Sequence, residues 1–268
     1  MATRPWGAAR RAKLSPARPL PITMKSNVSV RTRAAVYRDL ATPPGYCGGP
    51  PPFAAPILGT LGRALMVSSP QVIAISGISG SGKSTLAQAL AQRMDAVVLC
   101  VDDYYRETDP EALEATNFED PALTDWELLL AHLDELKEGR PVEVPQYCYT
   151  RCRRIAFHRR NPRPTVIVEG QYALTQPQLV ERTDLSVLIR IDLAEAEERR
   201  CHRDVSVHGR RAEDSRARFA REIAPTYREF SPRMEALSHL QLEPSEVAHW
   251  VQQVDLALRT PARANFLA

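Results

Sequence analysis

A lysine and a serine set behind spaced glycines carry the clearest chemistry in this chain. The stretch GISGSGKST, residues 77–85, fits Gly-x4-Gly-Lys-Ser, with Gly77, Gly82, Lys83 and Ser84 at the fixed positions. Glycines at that spacing let consecutive backbone N–H groups turn inward around a polyphosphate, and Ser79, Gly80, Ser81 and Thr85 share the loop. Lys83 brings a point charge to the terminal phosphates, and the Ser84 hydroxyl is a hard oxygen suited to Mg²⁺. Many unrelated reactions share such a cradle, so the motif leaves the phosphate acceptor open.

Acids and arginines recur where such a site needs them. Asp102-Asp103-Tyr104-Tyr105 follows the apolar run Ala96 to Val101, and Glu169-Gly170 follows Thr165 to Val168. Carboxyl ends of parallel strands line the ligand crevice of an open α/β sheet, so these carboxylates face the phosphates. Asp102 and Asp103 could instead cap a turn. Glu169 is placed to hold the Mg²⁺ hydration shell. Arg199, Arg200 and Arg203 lie on a predicted helix capped by Asp192, ahead of Gly209-Arg210-Arg211. That run is either a solvated face or a mobile lid over phosphates.

These side chains need a scaffold of alternating strands and helices. Val72, Ile73 and Ile75 form a buried strand before the loop, and Leu86, Leu90 and Met94 give the following helix its apolar face. Thr124 and Glu127 predict a capping box, with Trp126, Leu129, Leu130, Leu133 and Leu136 as core and Gly139 as the stop. Val142 to Tyr149 and Arg154 to His158 predict a hairpin flap, broken by Pro145. Its Tyr147 and Tyr149 are either cross-strand packing or an aromatic wall for a flat ligand. Leu185 to Ile191 is another strand. A polar helix over Glu213 to Phe230 has a kink or boundary at Pro225, and Leu237 to Leu242 contains the last strand. Val247, Trp250, Val251, Val254 and Leu258 line a closing helix. The order predicts one three-layer α/β domain from about residue 66 to 260, with a flexible tail over 261–268.

Charge and composition narrow the function. Residues 1–65 hold ten of the 35 Lys/Arg but one acid, Asp39, together with ten of the 22 prolines. The basic excess therefore sits in this leader, and the folded part gives no support for a specific nucleic-acid partner. The leader reads as disordered. It resembles a transit peptide in its arginines, or serves as a basic interaction tail. The position of Met66, five residues before the first strand, favours translation starting there. Five cysteines without paired CxxC spacing point to a reducing, cytoplasmic setting. No apolar run reaches membrane-span length, and a homo-oligomer stays open.

Taken together, GISGSGKST, DDYY, NFEDPALTD, VPQYCYTRCRR, VIVEG and RRCHRDVSVHGRR, in this order, resemble the uridine kinase family of phosphate-loop nucleoside kinases over about Val72 to Phe230. The resemblance implies a P-loop NTPase fold with parallel sheet, helices on both faces, hairpin flap and arginine lid. ATP and Mg²⁺ are the implied cofactors and a nucleoside-like small molecule the substrate. It makes Asp102 the general base on the 5′-hydroxyl, near Tyr105 and the metal. Glu119 becomes the acid on the ribose hydroxyls, Tyr147 and Tyr149 the aromatic border of the base, and Arg154 a substrate contact. Arg200, Arg203 and Arg210 become the lid arginines, with Arg203 also at the reacting group, and Glu169 the metal-associated acid. Three positions depart from the family pattern. Cys152 replaces a base-reading histidine, His208 a lid arginine, and Asp120 the histidine after the ribose acid. The phosphoryl-transfer parts are thus intact while the base-reading parts are altered. The expectation is a kinase for uridine, cytidine or a similar nucleoside. Nicotinamide riboside, pantothenate and ribulose 5-phosphate are alternative acceptors, and a regulatory module that has lost transfer is a different class of outcome.

Overall fold

A computed structural model of the chain describes residues 69–109, 116–149 and 151–260. The expectations for residues 1–65, Met66 and residues 261–268 lie outside these. Five parallel strands form the sheet: β1 (Gln71–Gly77), β2 (Ala96–Cys100), β5 (Thr165–Glu169), β6 (Leu185–Ile189) and β7 (Leu240–Leu242), in the order β2-β5-β1-β6-β7. β5 and β6 are buried at every position, as expected of apolar runs covered on both faces. β3 (Val142–Cys148) and β4 (Arg153–Arg160) form a separate antiparallel hairpin. Pro145 sits inside β3 opposite Phe157, and the register shifts between Gln146 and Tyr147.

The period-two alternation of the strands sorts the core into layers. Ile73, Ile75, Ile167, Val187 and Ile189 point to one face, where they meet Leu86 and Leu90 of α1 (Lys83–Met94) and Trp250 and Val254 of α7 (Val247–Arg259). Val72, Val97, Leu99, Val166 and Val168 point to the other. They meet Leu129, Leu130, Leu133 and Leu136 of α2 (Trp126–Lys137), and hairpin residues Val142 and Val144 join that cluster. The same face continues as Ala74 and Leu188 against Ala196 of α4 (Leu193–Ser206), which follows the one-turn α3 (Pro177–Val180), and against Tyr227 and Met234 of α6 (Ala224–Leu237). The result is a three-layer α/β P-loop NTPase fold. Among the described residues no helix is long and apolar enough to cross a membrane.

One local expectation changes. The capping box at Thr124 and Glu127 does not form: Asp125 is the N-cap and its carboxylate accepts from the Leu128 N–H at 3.2 Å. Thr124 instead forms an antiparallel bridge to Tyr105, and its N–H donates to the Pro121 carbonyl at 3.2 Å. The polar helix expected over 213–230 forms within one unbroken helical run, 212–237, in which α5 (Ala212–Arg218) passes through a π-turn at Phe219–Ile223 into α6. Pro225 lies two residues past the π-turn in an unbroken helical backbone, so the N–H it lacks falls where the i→i−4 ladder is already interrupted. The last strand, Leu240–Leu242, lies within the expected range.

Leu133 is fully buried where α2 meets the sheet. Leu133→Ala is expected to destabilise the protein by about 2–5 kcal/mol, read as a lower urea midpoint at unchanged slope.

Candidate active site

The loop after β1 is shaped by close packing at two glycines. Gly80 has φ 95°, and a Cβ there would lie 2.6 Å from the Ala196 carbonyl oxygen of α4; Gly82 has φ 98°, and a Cβ there would press on the Trp250 ring at 3.1 Å. Side chains at these positions would be strained in φ as well as crowded. Gly82 is also the N-cap of α1, so the loop leads straight into the positive end of that helix. Ser81 Oγ is buried with no hydrogen-bond partner among the described residues. Ser84 and Thr85 face solvent at the start of α1, with Lys83 half-buried beside them.

The acids arrive at the same edge from β2 and β5. Glu169 ends β5, is 5% exposed, and accepts a hydrogen bond from Ser84 Oγ at 3.0 Å. Burial pushes its pKa up; Lys83 opposes the shift, while Asp102 adds to it. The two acidic strand tips and Lys83 therefore share one field. Asp102 is exposed on a 3₁₀ turn, Val101–Tyr104, and beside it burial and the Asp102 charge push Asp103 up to about 6. Gly170 fixes this approach, since a Cβ there would meet Val101 Cβ at 2.4 Å. The hydroxyl and carboxylate pair of Ser84 and Glu169 is an oxygen donor set that suits Mg²⁺, a cation that keeps waters and takes its other ligands from phosphates.

On the hairpin side, Tyr105, Tyr147 and Tyr149 form a triangle of rings with centroids 5.2–5.7 Å apart. The Tyr105 hydroxyl donates to the Phe118 carbonyl at 2.9 Å, which fixes the loop bearing Glu119. Glu119 is 7% exposed and accepts from Arg218 Nη2 at 3.1 Å. Burial raises its pKa, with Arg218 and then Arg200 pulling the other way. Cys152 is buried with φ 50° and donates its S–H to the Tyr149 carbonyl at 3.3 Å. Arg154 reaches the Asp125 carboxylate at 2.9 Å and the Tyr104 carbonyl at 3.3 Å, and so braces the hairpin against the start of α2. Asp120 caps the 3₁₀ turn Pro121–Leu123 by accepting from the Ala122 N–H at 2.9 Å, which is structural work a histidine there would not do in the same way.

The arginines reach the loop from α4. Arg200 and Arg203 both donate to Ser79 Oγ, at 2.6 and 3.2 Å, while Arg210 lies 3.5 Å from Asp204. His208 is held below its ordinary pKa by lost hydration and then by Arg210, so it is predominantly neutral at pH 7 and no substitute for an arginine charge. Two residues near the site escape the sequence motifs. Arg218 is half-buried in a stretch that reads as generic polar helix. Gln171 accepts from the Ser79 N–H at 3.1 Å and donates to the Tyr172 hydroxyl at 2.8 Å. Its only sequence signal is a polar residue just past a strand tip.

Residues 72–243 match the model of the Phosphoribulokinase / Uridine kinase family. The chain is 34% identical over 170 residues to a uridine kinase of Shewanella piezotolerans, covering 59% of this chain and 80% of that one. It is 33% identical over 172 residues to a uridine kinase of Chloroflexus aggregans, covering 62% and 82%. Among solved structures, a putative fructose transport system kinase from Silicibacter sp. TM1040 superposes with a TM-score of 0.54 at 25% identity, over 68% of this chain and 92% of that chain. A D-glycerate 3-kinase from Cryptococcus neoformans, at TM-score 0.50 and 18% identity over 65% and 83%, shares the fold. With the family model spanning most of the sheet and both acidic strand tips, the chain belongs to the phosphoribulokinase/uridine kinase family and is a phosphotransferase acting on a hydroxyl group.

Proposed function

We propose that the protein transfers the γ-phosphoryl group of ATP, with Mg²⁺, to the 5′-hydroxyl of uridine, cytidine or a similar nucleoside. The observation that carries this reading is the meeting of Ser84 and Glu169, 3.0 Å apart and in the field of Lys83 and Asp102, beside a tyrosine corner and the buried Glu119. Bound ATP would supply the phosphoryl group, and Ser84, Glu169 and Asp102 would hold Mg²⁺, which would offset its charge. Asp102, open to solvent at the site edge, orients the acceptor hydroxyl and accepts its proton. Lys83, Arg200, Arg203 and Arg210 neutralise the group in transfer, and the amides and hydroxyls from Gly77 to Thr85 hold the phosphates. One Glu119 oxygen is anchored by Arg218, which orients the carboxylate toward a ribose diol. Tyr147 and Tyr149, with Tyr105, offer a wall for the base, and Arg154 supports that wall from behind.

Cys152 favours a second reading, the same reaction on another small alcohol. Its S–H is spent on the Tyr149 carbonyl, and a thiol is a weak partner for a pyrimidine edge. Nicotinamide riboside, pantothenate and ribulose 5-phosphate are the competing acceptors. Retention of Lys83, Ser84, Asp102 and Glu169 speaks against a module that binds nucleotide without transfer.

A coupled ATP-turnover screen against uridine, cytidine and these three acceptors is expected to show highest kcat/KM for a pyrimidine nucleoside. Preference for another acceptor would select the second reading. Lys83→Ala and Asp102→Asn are each expected to lower kcat by roughly 10²–10⁴-fold with the unfolding temperature little changed; near-parental kcat in Asp102→Asn would remove Asp102 as the base. Glu119→Gln is expected to raise the KM of the nucleoside and leave that of ATP unchanged, which steady-state kinetics with each substrate varied in turn would check.

A further inference from the structure

The lid helix carries a carboxylate to which the reaction above gives no part. Asp204 lies on α4 and is 1% exposed. Its Oδ2 accepts from Ser215 Oγ at 2.8 Å and lies 3.5 Å from both Arg200 Nε and Arg210 Nη1, while Oδ1 is 3.9 Å from Arg203 Nη2. Its backbone carbonyl accepts from the Arg210 N–H at 2.9 Å, closing the turn that carries Gly209. Burial alone would raise its pKa, but Arg200, Arg210, Ser215 and Arg203 outweigh that and hold it below the usual carboxylate range.

The far ends of two of these arginines show what the cluster serves. Arg200 donates to Ser79 Oγ of the phosphate loop through Nη1 while its Nε lies 3.5 Å from Asp204, and Arg203 Nη2 lies between the two, 3.2 Å from Ser79 Oγ and 3.9 Å from Asp204 Oδ1. Ser215, the hydroxyl that anchors Asp204, lies on α5 one turn before Arg218, whose guanidinium holds Glu119. One buried carboxylate thus stands between the arginines at the phosphates and the short helix that orients the acid on the acceptor side. A plain stabilising ion pair would need one arginine and no link to α5.

We propose that Asp204 is a positioning residue for phosphoryl transfer: it fixes Arg200, Arg203 and Arg210 at the phosphate loop and, through Ser215, ties their placement to the helix that braces Glu119. This rests on the reading of the site given under Proposed function. Asp204 touches no substrate. It acts by limiting where three long, flexible cations can go, so its loss falls on the transition state, where charge must be met in register, more than on ground-state binding of a polyphosphate.

The test compares the full chain with Asp204→Asn, Asp204→Glu and Ser215→Ala, measuring kcat, KM for ATP and acceptor, acceptor-free ATP hydrolysis, ATP affinity by calorimetry and the unfolding temperature. Asp204→Asn is expected to lose roughly tenfold or more in kcat while its ATP dissociation constant stays within about threefold of the parent, because the arginines remain as cations but lose their placement. Asp204→Glu should recover part of kcat. Ser215→Ala should lower kcat less and raise the acceptor KM. The proposal is overturned if folded Asp204→Asn keeps kcat within about threefold of the parent, or if its kcat and its ATP affinity fall by the same factor. If Asp204→Asn does not fold, Ser215→Ala decides, and unchanged kcat and acceptor KM there overturn the link. If the parent phosphorylates none of the acceptors, the nucleoside reading fails by itself. Acceptor-free ATP hydrolysis then judges Asp204, with an unchanged rate in Asp204→Asn counting against it.

Discussion

A carboxylate withdrawn from water at the end of β5 sets the terms for the rest of the molecule. Glu169 is almost fully buried, and a lone charge there would be driven toward its protonated form. Lys83 and the Ser84 hydroxyl keep it useful, and both come from the first turn of α1. That pairing works only if β1 and β5 are adjacent and in register, so that the loop leaving one strand meets the tip of the other. The parallel pairing of Ile75 with Glu169 supplies this. The Gly170 contact with Val101 then brings the β2 tip, and with it Asp102, to the same edge.

Charge balance governs the remaining site in the same way. The described chain buries Glu119, Glu169, Arg200 and Asp204, groups that are rarely withdrawn from water without partners. Each has an opposite charge or hydroxyl at hand: Arg218 for Glu119, Ser84 for Glu169, Ser79 and Asp204 for Arg200, and Ser215 for Asp204. Such sets carry little net stability compared with an apolar core of equal volume. Their presence at the strand ends, away from the leucine and valine layers, marks where structure is spent on chemistry. The π-turn that follows α5 lies next to this set: Ser215 and Arg218 precede it, while Phe219 and Ile223 within it are in the core.

Much of the fold and the phosphate half of the site was legible in the chain. The loop glycines, Lys83, Ser84, the two acidic strand ends and the run of arginines are local patterns, and the structure brings Ser84 to Glu169 in the field of Lys83 and Asp102, with Arg200 and Arg203 on Ser79. Legibility failed where a residue's role depended on a distant partner. Thr124 looked like an N-cap, but it pairs with Tyr105 in a backbone bridge while the Asp125 carboxylate takes the Leu128 N–H. Arg218 and Gln171 carried no motif, because their meaning comes from Glu119 and Ser79, about 90 to 100 residues away along the chain.

The sequence by itself determined the alternation of strand and helix, the phosphate cradle, the acids at the strand ends and the family, because these rest on periodicity and spacing within short windows. Only the tertiary structure decided which charges neutralise one another. It set Arg154 on Asp125, Arg218 on Glu119 and three lid arginines around Asp204, and it spent the Cys152 thiol on a backbone carbonyl. The reason is physical: electrostatic pairing depends on distance and burial in space, and neither is encoded by the neighbours of a residue along the chain.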